Sequence, residues 1–284
     1  MNTAIHVQGL CKQYNDFALN QVDLIVPTGT IVGFVGENGA GKTTTLKAIL
    51  GAIHPDSGTI QILGNSTLTP TEKAQIGVVF EDSFFYETLT AKQINTIMAS
   101  IQPNWDSTEF FRLIQSFQLP TQKTIKDMSK GMRMKIRLAT ALAHHPKLLI
   151  LDEATNGLDP VVRGEVLDFL RDYIQNESNS VLISSHITSD LEKIADSIAY
   201  IHQGRMLFQM DTVTLLEHYG IVRCSESQLT QIPQSIKVAT RKNSITCETL
   251  VSDASQVRQI LPDAAIDRAS IDEIMQFYAG RDKL

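Results

Sequence analysis

An apolar run, TIVGFVG (30–36), leads directly into GENGAGKTT (36–44), and a segment of helical periodicity follows over 42–54. The middle stretch fits the phosphate-loop pattern G-x-x-x-x-G-K-[ST], with Gly36, Gly41, Lys42 and Thr43 at the specified positions. Its context, a strand before and a helix after, is the one in which such a loop works. The glycines let the backbone curl until successive N–H groups point at phosphate oxygens. The helix start adds partial positive charge. Lys42 can reach the outer phosphates of a nucleoside triphosphate, and the Thr43 hydroxyl can ligate Mg2+.

The rest of the chain repeats this alternation. Runs rich in Val and Ile at 75–80, 147–153, 180–185 and 197–204 predict strands, and helical spacing appears at 91–100, 108–117, 133–144, 161–176 and 190–196. Strands alternating with helices imply a parallel sheet covered on both faces. Residues from about 84 to 145 break the alternation and predict a helical subdomain inserted into the α/β core. Residues 211–284 predict a small α+β extension. A chain of 284 residues with 43% hydrophobic and 20% charged residues is globular in composition. Its net charge of −6 argues against a broad footprint on nucleic acid. Cys11, Cys224 and Cys247 make neither a disulfide framework nor a metal knuckle, as expected in a reducing cytosol. The N-terminus lacks a signal-peptide pattern. No apolar run approaches the roughly 20 residues that span a bilayer. Action at a membrane would therefore need another chain to cross it.

A second motif supports the first. LLILDE (148–153) is a buried-strand pattern ending in two acids, Asp152 and Glu153. Acids there are costly unless they have partners or work. Asp152 can hold the shell of a Mg2+ ion, and Glu153 can orient or deprotonate an attacking water.

Over about residues 4–210 the order and spacing of motifs resemble the ATP-binding subunit of ABC transporters. GENGAGKTT resembles the Walker A loop (Gly36, Glu37, Asn38, Gly39, Ala40, Gly41, Lys42, Thr43, Thr44) and LLILDE resembles Walker B. MSKGM (128–132) stands where that family has its signature, and NGLD (156–159) resembles the D-loop with Asp159. SSH (184–186) resembles the switch loop and nominates His186, and KQYNDFALNQ nominates Tyr14 as the ring on which adenine stacks. The resemblance implies a fold: an α/β P-loop NTPase core of the ABC ATPase type, an ABC ATPase domain over 1–210, and the two additions above. It also implies a mechanism with ATP and Mg2+ as ligands. Two subunits, identical or different, close head to tail, and Ser129, Lys130, Gly131 and Met132 of one chain face the ATP held by the other. Glu153 and His186 are the implied catalytic pair, and Thr43 and Asp152 the implied metal residues. The implied partner is a separate transmembrane permease, with the chain peripheral on the cytoplasmic face of the membrane and no nucleic acid bound.

Three departures from the family pattern stand out. Glu81 replaces the usual Gln of the loop that couples the metal to the helical subdomain, and a carboxylate there can also ligate Mg2+. Lys130 replaces the first signature glycine, and Met132 replaces a Gln. SKGM and PNWD (103–106), with the SIDEIMQFYAG tail, resemble a bacterial export-type subgroup. The alternative, a soluble ABC-type ATPase acting on nucleic acid or ribosomes, would carry two ATPase domains or a long coiled-coil insert. This chain has one phosphate loop, no long heptad run and an acidic balance. His144 and His145 predict a pair at a helix C-terminus, where imidazole is favoured.

Overall fold

A computed structural model describes residues 2–81, 85–242 and 247–280. The chain opens with an antiparallel layer in the order β2-β1-β4, made of β1 (Thr3–Gln13), β2 (Ala18–Pro27) and β4 (Ser57–Ile62). Leu19, Val22, Leu24 and Val26 of β2 are buried while their neighbours face outward, the alternation of a sheet covered on one face. The central sheet has the order β5-β6-β7-β3-β8-β9, from β3 (Ile31–Val35), β5 (Ile76–Val79), β6 (Leu148–Asp152), β7 (Ser180–Ser185), β8 (Ser197–His202) and β9 (Arg205–Asp211). Its strands pair in parallel except for β9, which pairs antiparallel with β8 at the edge. Strands β3, β6 and β7 are buried along their whole length, so their apolar residues are consecutive and do not alternate with exposed ones, and the serines of β7 and Asp152 at the end of β6 are buried polar exceptions.

Helix α1 (Lys42–Ile49) follows β3. It ends before residue 54, where periodicity had carried it, because the chain turns at Gly51 with φ 70°. A short helix α2 (Pro70–Lys73) precedes β5. Between β5 and β6 come α3 (Ala91–Ile101), α4 (Ser107–Ser116) and α5 (Lys130–Leu142). Each has a side-chain N-cap: Thr90 for α3, Asp106 for α4 and Ser129 for α5. The Ser129 cap is why α5 starts three positions ahead of the predicted 133. Phe84, the predicted start of the helical insertion, lies outside the described residues. Ile94, Phe110, Leu113, Met134 and Leu138 join these helices to one face of the central sheet in a single core. The PNWD stretch serves this packing. Trp105 Nε1 donates to Asn95 Oδ1 at 2.9 Å, and its ring lies 5.2 Å from that of Phe110. His144 lies beyond the end of α5. Its Nε2 is 3.1 Å from the Ile76 carbonyl, and burial pushes its pKa down. It stands at the helix C-terminus, as its sequence position suggests, but buried against β5 and not facing solvent.

Helices α6 (Pro160–Tyr173) and α7 (Thr188–Ile194) complete the cover of the sheet. After β9, Asp211 caps α8 (Thr212–His218). Then follow β10 (Gly220–Cys224), α9 (Glu226–Leu229), β11 (Lys237–Lys242), β12 (Cys247–Val251), α10 (Ala254–Ile260) and β13 (Ala265–Arg268). This β-α-β-β-α-β sequence pairs antiparallel in the order β11-β12-β10-β13, a ferredoxin-like topology. Val222, Cys224, Cys247, Val251 and Val257 make its own small core.

The opposite face of that sheet is closed by α11 (Ile271–Gly280). Ile271, Ile274, Phe277 and Tyr278 of α11 belong to the same core as Leu191 of α7 and Phe208 of β9. At its start, Ile271 N–H donates to Glu192 Oε1 of α7 at 3.0 Å. Farther along, the Arg241 guanidinium lies 4.2 Å from the centre of the Phe277 ring, and the Tyr219 and Tyr278 hydroxyls are 3.1 Å apart. Each buried side chain of this size contributes about 1.5–3 kcal/mol. The C-terminal sheet is thus joined to the central one through α11.

Candidate active site

In the central sheet β5, β6, β7 and β3 are neighbours, so their C-terminal ends bring residues 80–81, 152–153, 184–186 and 36–44 to one edge. Ligands of open parallel sheets bind outside that edge. The phosphate loop makes the floor. Gly41 sits at the N-cap of α1 with φ 113°, and a Cβ there would stand 2.7 Å from Leu19 Cδ2 and 2.9 Å from Phe17 Cζ. Both conformation and space therefore require glycine. No side chain caps α1, which leaves its first N–H groups for an anion.

Lys42 is only 6% exposed, and a buried ammonium needs partners. Its Nζ donates to the carbonyls of Gly36 at 2.6 Å and Glu37 at 3.3 Å, and it stands 3.1 Å from Glu153 Oε1. The contact with Glu153 is an ion pair without the alignment of a hydrogen bond. Asp152, 4% exposed, has both oxygens engaged: Ser184 Oγ donates to Oδ1 at 2.5 Å and Thr43 Oγ1 to Oδ2 at 2.8 Å. A hydroxyl and a carboxylate so close together are the hard oxygen donors that Mg2+ takes.

Glu153 adopts a left-handed backbone, φ 51°, a conformation that costs about 1–3 kcal/mol outside glycine. Its N–H is held by the carbonyl and the hydroxyl of Ser184, both at 3.1 Å. The turn aims the carboxylate at His186, whose Nδ1 lies 2.7 Å from Oε2. Lys42, Thr43, Glu81 and Glu153 line one cavity of about 470 Å³ with Phe17, Glu37, Asn38, Gly39, Gly41 and Thr44.

The other nominated residues divide between the surroundings of this cavity and a second region of the molecule. Ala40 is buried beneath the loop. Tyr14 sits on the same β1–β2 hairpin as Phe17, 42% exposed, with Lys12 Nζ 5.9 Å from its ring centre. The aromatic on the cavity wall is Phe17. Asp159 caps α6 by accepting from the N–H groups of Val161 and Val162, both at 3.1 Å. Ser129 caps α5, its Oγ accepting from Met132 N–H at 3.2 Å. With Gly131 and Met132 it lines a separate cavity of about 480 Å³ that shares no lining residue with the first. The Lys130 side chain reaches across to Gly157. Sequence reasoning did not nominate Phe17, Ser184 or Asn156. Ser184 had a signal, since a polar residue ending a buried strand (SVLISS) is as anomalous as the acids ending LLILDE.

A family model described as "ABC transporter" matches residues 19–156. Bacitracin transport ATP-binding protein BcrA of Bacillus licheniformis is 36% identical over 213 residues, covering 73% of this chain and 69% of the relative. Lantibiotic transport ATP-binding protein SrtF of Streptococcus pyogenes is 31% identical over 210 residues, covering 73% and 90% respectively. Among solved structures, an ATP binding subunit of an ABC transporter aligns with a TM-score of 0.65 at 28% identity, over 75% of this chain and 91% of that one. A nucleotide-free ATP-binding cassette from an ABC transporter, 18% identical, shares the fold with a TM-score of 0.65 over 74% and 91%.

Proposed function

The chain belongs to the ABC transporter family as an ATP-hydrolysing, ATP-binding subunit, and on that premise we propose that two copies close around two ATP molecules to power a separate membrane-spanning exporter. The observation that carries the reading is the convergence of Lys42, Thr43, Glu81 and Glu153 on one cavity, with Asp152 bridging Thr43 and Ser184 behind it. ATP phosphates rest on the N-terminus of α1, where Lys42 exchanges its pairing with Glu153 for phosphate oxygens. Thr43 and Asp152 would hold a Mg2+ ion, which when bound would neutralise charge on those oxygens. Glu153 orients the attacking water and accepts its proton, and the imidazole of His186 fixes the carboxylate. The signature cavity lies apart from the chain's own phosphate loop, and this supports its use on the partner's nucleotide.

Tyr14 stacks on adenine from the rim while Phe17 shapes the wall. Aromatic stacking of about 0.5–1.5 kcal/mol predicts that Tyr14→Ala weakens ATP binding by roughly 2- to 10-fold, with Tyr14→Phe near wild type. Fluorescence titration of the purified chain measures this. Wild-type affinity in Tyr14→Ala would move the stacking to Phe17.

No helix among the described residues is long and apolar enough to cross a membrane. By its likeness to transporter ATP-binding subunits, the chain would sit on the cytoplasmic face through its partner. A groove of about 460 Å³ between the sheet edge and the helices, lined by Ile76, Val79, Tyr86, Ile97 and Ile101, suits a short apolar helix of that partner. Tyr86 is 81% and Ile101 66% exposed there. The names of BcrA and SrtF suggest a peptide antibiotic as cargo. Purification of the tagged chain from its native membrane should bring down a multi-span membrane protein, and Ile101→Glu should lose it while keeping ATP binding. Recovery of ribosomes or nucleic acid alone would overturn the transporter reading.

A further inference from the structure

Two of the three departures from the family pattern meet one short turn. Asn156 Nδ2 donates to Glu81 Oε1 at 2.8 Å. The next residue, Gly157, has φ 64°, and a Cβ on it would collide with Lys130 Nζ, so the ammonium lies against the bare Cα. The Asn156–Gly157 pair is therefore flanked by a carboxylate from one loop and an ammonium from the first turn of α5. The turn itself is anchored at both ends. Asn156 N–H donates to the Glu153 carbonyl at 3.1 Å, and Asp159 closes the turn as the cap of α6. The backbone of Glu81 is held independently, since the Arg137 guanidinium of α5 donates to the Phe80 and Glu81 carbonyls.

We propose that Asn156 is the positioning residue of Glu81. Its amide engages one carboxylate oxygen, while the other keeps its acceptor capacity in the nucleotide cavity that Glu81 lines. A hydrogen bond to one carboxylate oxygen fixes the direction in which the other points. The Asn156 amide is thus paired with an acceptor-only carboxylate in the loop after β5. Lys130 supports the turn from its other side, which gives this signature substitution a role within its own chain. The inference rests on Glu81 facing the nucleotide as proposed above.

The test exchanges the two functional groups. Asn156→Asp sets two carboxylates against each other, and kcat should fall about 10- to 100-fold. Glu81→Gln in the same chain restores a donor–acceptor pair with the amide on the opposite side. The double variant should then turn over at least several-fold faster than Asn156→Asp alone. Mg2+-dependent binding of a fluorescent ATP analogue should follow the same order, while the thermal midpoint stays within a few degrees of wild type throughout. A double variant no better than Asn156→Asp in both assays would overturn the pairing. So would wild-type behaviour of Asn156→Asp and Asn156→Ala alongside an impaired Glu81→Ala. If Glu81→Ala itself binds and hydrolyses ATP normally, the placement of Glu81 at the nucleotide fails first, and the inference with it.

Discussion

Glu153→Gln should lower ATP turnover by at least about 100-fold, the scale of a lost general base, while strengthening ATP binding. Glutamine keeps the size of the side chain and can still hydrogen-bond to His186 Nδ1, which stands 2.7 Å from the carboxylate in the wild type. It cannot accept the proton of the attacking water. It also removes the negative charge 3.1 Å from Lys42 Nζ, leaving the ammonium for phosphate alone. Slow hydrolysis with tighter binding should hold the closed pair together, so the variant should run as an ATP-dependent dimer in size exclusion and as a monomer without nucleotide. Full ATPase activity in this variant would sink the assignment of Glu153. The left-handed backbone at this position comes from the turn and not from the carboxylate, so the substitution should leave the fold intact.

Ser129→Arg should leave ATP binding by the single chain within about twofold of wild type and abolish turnover. Ser129 lies in a cavity separate from the phosphate loop, so its side chain has no route to the chain's own nucleotide. The local cost is the lost cap of α5, about 0.5–2 kcal/mol for such a serine. The larger effect is steric: a long cationic side chain stands where a partner's phosphate would dock. Ser129→Ala separates the two, since it shares the cap loss without the obstruction and should retain measurable activity. Placed in the Glu153→Gln chain, Ser129→Arg should eliminate the ATP-dependent dimer. A dimer that persisted would mean that the signature is not the closing surface.

The phosphate loop, the acids ending β6 and the parallel frame were legible because each is a local pattern: a spacing, a period, or a polar residue ending an apolar run. Legibility failed where chemistry joins residues distant in the chain. Thr43 and Asp152 are 109 positions apart, and the insertion of β7 between β6 and β3, which seats Ser184 beside Asp152, follows from strand order alone. The pairing of Asn156, itself part of the NGLD motif, with Glu81 was hidden for the same reason, since the two lie 75 positions apart. Met132 is a different case. It contributes its backbone N–H to the cap, and that places no demand on side-chain type. The C-terminal sheet escaped definition because its strands are short and each face packs on something different, so no clean alternation reaches the sequence.

The closing helix has a consequence for the order in which the molecule is made. Glu192, on the helix next to the switch loop, takes its backbone partner from a residue 79 positions downstream. At about 5–20 residues per second, roughly 4–16 seconds of translation separate the two. Throughout that interval the loop, both acids and the signature already exist as sequence, yet the apolar side of α7 has no α11 against it. The nascent chain therefore passes through a stage with its chemistry encoded and its switch helix unsealed. Sealing of α7 would come late in synthesis.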